Sequence, residues 1–284
     1  MALLLKKGIY VVAGKRTPFG KNGGLLREVL AEDLFATAAT AALKAGKIAP
    51  DVIDTVNIGQ ISSLSQHGMS GRHAALKAGI PADRPVLSLN QMSGSAFSGI
   101  ICSAQIFSDT RGFFDEELAP VTVKDNDREI IMTKDEHPQP DITFDELSQL
   151  PPLFENGLVT TGNCTGANDG AAAVVLANEE ALTTYNLKPL ARLVGWSTLG
   201  IDPVMMGIAS IPATQALLKT TGLSIDDIDL FEIHETYAAT AIIIAKELGV
   251  DHNKLNLNGG AISIGHPSGA SGARLLIHLT NELR

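Results

Sequence analysis

The sequence predicts an α/β fold laid down twice along the chain, with parallel strand pairs in each half. Three observations carry this. Short apolar runs of strand character alternate with stretches of helical spacing. The cycle that opens near residue 9 opens again near residue 189, an internal repeat of fold rather than of sequence. Between the two cycles, residues 109–155 change composition altogether.

In the first half, 9–13 (IYVVA) reads as a buried strand, and Leu34, Ala38, Ala42 and Ala45 mark one face of a helix over 32–45. TVNIG at 55–59 and VLSL at 86–89 are short strands with a helix around 71–78 between them. From Ser93 the period becomes helical, with Phe97, Ile100, Ile101 and Ala104 on one face to about 107. AAAVVLA at 171–177 is a further strand. The second half repeats the order: a strand at 189–196, a helix over 204–221 closed by Gly222, and a strand at 229–233. A helix from Tyr237, a short strand at 255–258, a Gly-rich turn and a last helix over 270–283 follow. The expected domains are 1–108 continued by 159–183, an acidic loop domain at 109–158, and 184–284. Residues 109–155 hold thirteen acids against four basic residues and five of the thirteen prolines, which reads as a surface excursion.

Composition bounds the function classes. With 284 residues, 45% of them hydrophobic, and only 19% charged, the chain can bury a large core. A net charge of −9 offers no electrostatic footprint for nucleic acid. No apolar run approaches the roughly 20 residues of a membrane span. Two cysteines, Cys102 and Cys164, argue against a disulfide scaffold and suit a reducing compartment. Residues 1–27 carry Lys6, Lys7, Lys15, Arg16, Lys21 and Arg27 with no acid before Glu28. Such a start suits import into the mitochondrial matrix; it also suits a first strand with solvated flanks in a cytoplasmic protein.

Three segments could carry chemistry. LNQMSGSAFSG (89–99) is a strand, a tight turn and a helix start with Ser93 at the turn. A helix N-terminus stabilises an anionic nucleophile, but a serine there is also an ordinary N-cap, and the stretch does not match G-x-S-x-G. NGGAISIGHPSGASGAR (258–274) sets His266 in a glycine-rich turn ahead of the last helix. There the helix would keep the imidazole neutral and able to accept a proton; a structural histidine beside a proline is the other reading. EIHETYA (232–238) puts His234 and Glu235 where a strand's end lines a ligand crevice, or simply where a helix begins. It is not the metal motif H-E-x-x-H, because Ala238 replaces the second histidine, and no metal is expected.

Jointly these segments resemble the thiolases, especially the 3-ketoacyl-CoA thiolase and acetyl-CoA acetyltransferase branch. KRTPFG at 15–20 with the glycines at 23–24, NQMSGSAFSG at 90–99 and GFFDEELAPVTV at 112–123 are similar to family segments, in family order. So are TGNCTGANDGAAAVVLA at 161–177, HETYA at 234–238 and GGAISIGHPSGASGAR at 259–274. The resemblance implies two similar β-α-β-α-β-α halves with mixed sheets and an inserted loop domain. It implies acyl transfer in fatty acid β-oxidation with coenzyme A as substrate and no cofactor. It puts Ser93 in the nucleophile's place, His266 as base, His234 as oxyanion support, and Gly162, Asn163 and Gly265 against substrate or CoA.

The same resemblance exposes departures. The family's loop reads N-Q-M-C-G-S, so serine stands for the nucleophilic cysteine, and Cys102, nine residues on, cannot replace it. The chain ends at Arg284, ahead of the family's C-x-G-G-G segment and the last strands of the second half. After Gln105 and Ile106 it passes directly to the second part of the loop domain, losing one strand of the first half. Three readings follow: a thiolase-type acyltransferase impaired in this chain, a catalytically dead structural subunit, or an acyl-CoA hydrolase using Ser93 and His266. Shortened sheets imply unpaired edges, and hence a homo-oligomer or larger assembly.

Overall fold

The computed structural model describes residues 2–61, 70–106, 117–125, 128–139 and 141–283. In chain order these form β1 (Ala2–Arg16), β2 (Gly20–Lys21), α1 (Ala31–Gly46), β3 (Val56–Gly59), α2 (Ser70–Lys77), β4 (Val86–Leu89) and α3 (Ser95–Ile106). Next come β5 (Val121–Asp125), β6 (Arg128–Met132), α4 (Phe144–Ser148), β7 (Asn168–Asp169), β8 (Ala172–Asn178) and α5 (Glu179–Thr184). The remainder is β9 (Ala191–Ser197), α6 (Ser210–Thr221), α7 (Ala238–Leu248), α8 (Ala261–Ile264) and α9 (Ser271–Glu282). The sheets are β8-β1-β9, β2-β7, β3-β4 and β5-β6. The chain divides into two compact units. The larger comprises Lys6–Glu136, Asn168–Leu193 and Pro267–Arg284; the smaller comprises Met1–Leu5, His137–Ala167 and Val194–His266.

The core of the larger unit is built around β1. Its pairing with β8 is antiparallel, from Ile9↔Asn178 to Arg16↔Ala172, with a register shift between Val11 and Ala13. That bulge turns two successive residues, Val12 and Ala13, into the cluster built on α1, where Leu34, Ala38 and Ala42 are buried. Val11 faces the opposite way and packs with Ile277 of α9. The strand is therefore apolar on both faces, as a strand covered by helices on both sides must be. β3 and β4 pair in parallel, in register from Val56↔Val86 to Gly59↔Leu89, as their separation by α2 requires.

The acidic middle is not a surface excursion throughout. β5 and β6 pair antiparallel, and Val121, Val123 and Met132 on one face of that hairpin join the α1 cluster. The opposite face, with Ile131 at 65% exposure, looks outward. Composition averaged over the segment hid this two-residue alternation. The junction after Ile106 lies outside the described residues.

One charged cluster closes the larger unit. Arg16, at the end of β1, is buried; its Nε reaches Glu117 at 2.5 Å and its Nη atoms reach the Asp135 carboxylate at 2.7 and 3.0 Å. Asp135 also accepts the Phe19 N–H at 2.7 Å, and His278 Nδ1 of α9 lies 3.2 Å from Glu117. Burial alone would raise the Glu117 carboxyl. The hydrogen bond from His278 and the charge of Arg16 outweigh it and hold the group below its ordinary range.

In the smaller unit two sequence expectations fail. The helix expected over 204–221 is a 3-10 turn at Pro203–Ile208 followed by α6. Pro212 has no N–H to donate to the carbonyl of Ile208, so the α pattern cannot run through. Gly222 closes α6 with φ 75°, as its sequence position implied. The strands expected at 229–233 and 255–258 reduce to one parallel bridge, Phe231↔Leu255. Asn256, buried and at φ 45°, leaves the extended conformation. Its side-chain amide then continues the pairing: Oδ1 accepts the Ile233 N–H at 2.8 Å, and Nδ2 donates to the Ile233 carbonyl at 3.0 Å.

Two outcomes are expected. Glu117 is depressed below 4.5 in the folded chain, so its pairing stabilises fully above that pH and is lost as pH falls through the lower folded value. The urea midpoint should drop below about pH 4.5 in the parent chain. It should drop much less in Glu117→Gln, which should be less stable at neutral pH by roughly 3 kcal/mol. An unchanged pH profile in the variant would remove this cluster as the cause. Asn256→Ala leaves the Ile233 N–H and carbonyl without their partner, at a cost of about 2–4 kcal/mol. Hydrogen exchange at the Ile233 amide should accelerate with it, and a protected amide in the variant would refute the role.

Candidate functional site

In the smaller unit, His234 and His266 come together. Their ring centroids are 4.2 Å apart and the planes tilt by 45°. Residues 163–167 hold them in register from both sides. Cys164 bridges to Tyr237 and Ala167 to His266, while Thr165 N–H donates to the Thr236 carbonyl at 3.1 Å and Ala238 N–H to the Asn163 carbonyl at 2.9 Å. Thr165 Oγ1 also donates to the Ala261 carbonyl at 3.0 Å, tying this segment to α8. Two histidines 32 positions apart in the sequence thus meet through a third segment that neither motif names.

Glu235 does not point to a ligand. Its carboxylate accepts from Asn256 Nδ2 at 2.8 Å and from the Ile262 N–H at 3.2 Å, clamping the turn ahead of α8 onto the chain beside His234. A Cβ on Gly260 would lie 2.2 Å from that carboxylate, so only glycine lets the turn close here. Gly265, at φ 99°, sets the chain direction into His266. The glycines of this motif serve the approach of backbone to backbone and to Glu235.

Gly162 N–H donates to Thr160 Oγ1 at 3.2 Å. Asn163 is spent on its own loop, with Oδ1 accepting the Thr160 N–H and Nδ2 donating to the Leu158 carbonyl, both at 2.9 Å. Its side chain shapes the loop from which Cys164 and Thr165 extend. Desolvation raises the Cys164 thiol pKa, the opposite of what an activated nucleophile needs.

Ser93 belongs to the larger unit. It is exposed on the turn between β4 and α3, beside Met92 at φ 50°. A positive φ on a residue with a long side chain is strained, and such strain gathers at functional turns. The hydroxyl of buried Ser95 braces the turn: it accepts the Gln91 N–H at 2.9 Å and donates to the Met92 carbonyl at 2.6 Å. Ser98 N–H to the Gly94 carbonyl, 3.0 Å, begins the helical pattern. Cys102 lies within α3, two turns further on.

Sequence reasoning missed Asn256, Thr165 and the structural duty of Glu235. An asparagine inside the apolar LNLN run was the available signal for the first. Nothing local announces the other two. Among the described residues, no group of three histidines, cysteines or acids is placed to hold a metal ion, and no helix is long and apolar enough to cross a membrane.

Comparison with known proteins identifies the fold and the family. The thiolase N-terminal domain family matches residues 9–110 and 106–180, and the thiolase C-terminal domain family matches 187–284. The mitochondrial 3-ketoacyl-CoA thiolase of Bos taurus is 34% identical over 372 positions, covering 100% of this chain and 93% of that protein. A beta-ketothiolase of Cupriavidus necator is 29% identical, over 98% and 93%. Among solved structures, human mitochondrial 3-ketoacyl-CoA thiolase in complex with CoA superposes with a TM-score of 0.91 at 34% identity, covering 100% of this chain and 93% of that one. The Bacillus anthracis acetyl-CoA acetyltransferase also gives 0.91, at 29% identity over 98% and 92%. The fold is the mixed α/β thiolase fold, and the chain belongs to the thiolase family.

Proposed function

We propose that this chain handles acyl-CoA thioesters as a 3-ketoacyl-CoA thiolase-type protein whose acyl transfer is impaired by the serine at position 93. The observation that carries the reading is the turn ahead of α3. Ser93 is exposed there, next to Met92 at φ 50°, at the place where the family motif carries its nucleophile. The contacting rings of His234 and His266 supply the base and the oxyanion support.

In thiolase-type chemistry a thiolate attacks the 3-keto carbonyl, the bond between C2 and C3 breaks, and the enolate released takes up a proton and leaves as acetyl-CoA. CoA then takes the acyl group from the enzyme. A cysteine reaches the anionic state readily beside an imidazole and a helix N-terminus. A serine hydroxyl must surrender its proton during attack, and it gains far less from the same surroundings. CoA enters as a substrate, with no cofactor. The family resemblance puts Gly162 and Gly265 beside CoA, and Asn163 acts by holding the loop. The names of the mammalian relatives and the basic, acid-poor residues 1–27 support the mitochondrial matrix.

Purified protein should form no measurable acetyl-CoA from a 3-ketoacyl-CoA and CoA; steady formation would refute the impairment. CoA at about 100 times its dissociation constant should stabilise the fold by about 2.7 kcal/mol. A melting midpoint unmoved by CoA would favour a structural module without a CoA site. Ser93→Cys should restore little turnover yet yield a thiol alkylated by iodoacetamide faster than free cysteine at neutral pH. Labelling no faster than free cysteine would sink the claim that this turn activates a nucleophile.

A further inference from the structure

The larger unit holds a cavity of about 350 Å³ beside the starts of three helices. Among the described residues it is lined by Glu32 in the first turn of α1, Ser70 at the start of α2 and Ala270 just ahead of α9. Gln60, after β3, and Asp169 of β7 line it too. The volume lies within the small-molecule range of roughly 300–1,000 Å³. Glu32 is the anomaly. The residue is 3% exposed, and its Oε1 is shut off from solvent yet accepts no hydrogen bond. A carboxylate buried in this way is costly unless something supplies its pairing.

The surrounding groups do not supply it. The Ser70 hydroxyl donates to Gln60 Oε1 at 2.8 Å and is spent there. Among the described lining residues there is no lysine, arginine or histidine. Half-buried Asp169 adds a second acid. Loss of water and the charge of Glu136 push its carboxyl up, as happens where acids gather without a cation. These facts select the chemistry of a ligand. Helix starts suit an anion, but two carboxylates would face it here. A bare metal ion lacks ligands, since no three histidines, cysteines or acids are grouped among the described residues. Water can donate to Glu32, but Val29, Phe35, Ile58 and Ala74 give the cavity apolar walls that water leaves unsatisfied. An ammonium group on a short alkyl chain meets both demands, with three donors at the carboxylate and carbon against the walls.

We propose that this cavity binds a small primary alkylamine, its ammonium group seated on Glu32 and its alkyl chain against Val29, Phe35, Ile58 and Ala74. The charge of the amine pairs the buried carboxylate, and the chain displaces water from the apolar walls.

The test titrates the full chain at neutral pH with n-hexylamine, n-hexanol and potassium chloride at matched ionic strength, followed by calorimetry, melting midpoint and amide exchange. Hexylamine should bind saturably, raise the midpoint and slow exchange in residues 29–35, 58–61 and 70–74, which line the cavity. Hexanol, which lacks the charge, should bind more weakly by about tenfold or more. Glu32→Gln keeps the shape and removes the charge, and it should weaken amine binding by about the same factor. Ala74→Leu, which fills the cavity from α2, should weaken it likewise. If neither variant folds, the exchange pattern and the hexanol comparison in the parent chain decide. No saturable binding, equal binding of hexanol, undiminished binding by Glu32→Gln, or protection elsewhere overturns the proposal. An equal midpoint shift with potassium chloride overturns it in favour of a bare cation.

Discussion

The larger unit is organised around the need to pair one buried guanidinium. Arg16 ends a strand whose preceding residues are packed on both faces, and the chain cannot withdraw it to water without unzipping β1 from β8. Its charge therefore draws acids in. Glu117 arrives on the segment that bridges to Arg16, with the Ala119 N–H donating to the Arg16 carbonyl at 2.5 Å. Asp135 arrives just after the β5–β6 hairpin, and His278 from α9. The Phe19 ring lies 4.5 Å from the guanidinium, a favourable face for the same charge. Three distant stretches converge here: two bring the acids that pair the guanidinium, and the third brings His278 to one of those acids. Removing a partner is costly for that reason, although such a cluster adds less net stability than its Coulomb attraction suggests.

The smaller unit solves a different problem with a neutral amide. Where two strands would have paired, Asn256 turns its backbone aside and offers its side chain in place of a peptide group. The same Nδ2 reaches Glu235, and Glu235 holds the turn that leads through Gly265 to His266. The contact between His234 and His266 is thus fixed by groups that touch neither imidazole's chemistry. This places the precision of the histidine pair in Asn256, Glu235 and Gly260. It also gives the HE sequence two separate duties, with the histidine facing its partner ring and the glutamate serving as a clamp.

Much of the fold was legible in the sequence, and the reasons are specific. Leu34, Ala38 and Ala42 share a face because the helical period puts them there, and all three are buried. IYVVA lies in a strand because β-branched residues suit a doubly covered one, and Gly222 ends α6 because only its left-handed backbone is unstrained there. The misread elements are those that averaging blurs. The β5–β6 hairpin hid inside an acidic stretch because its few buried residues, Val121, Val123 and Met132, alternate with exposed ones. The 255–258 run looked like a strand because its apolar alternation was intact, while one asparagine carried the contrary instruction.

Local period and composition determined the alternation of helices and strands, the burial of both faces of β1, and the segments that would carry chemistry. Tertiary structure decided which of these meet. That His234 touches His266, that the Ser95 hydroxyl bridges Gln91 and Met92, and that Asn163 is consumed by its own loop are outcomes of hydrogen bonding in which one group chooses among several local candidates. Strand neighbours are equally invisible in sequence. β3 and β8 read as ordinary strands, and only the structure shows that β3 lies beside β4 and β8 beside β1. Periodicity records which side of an element seeks burial; the partner it finds depends on where the rest of the chain has already gone.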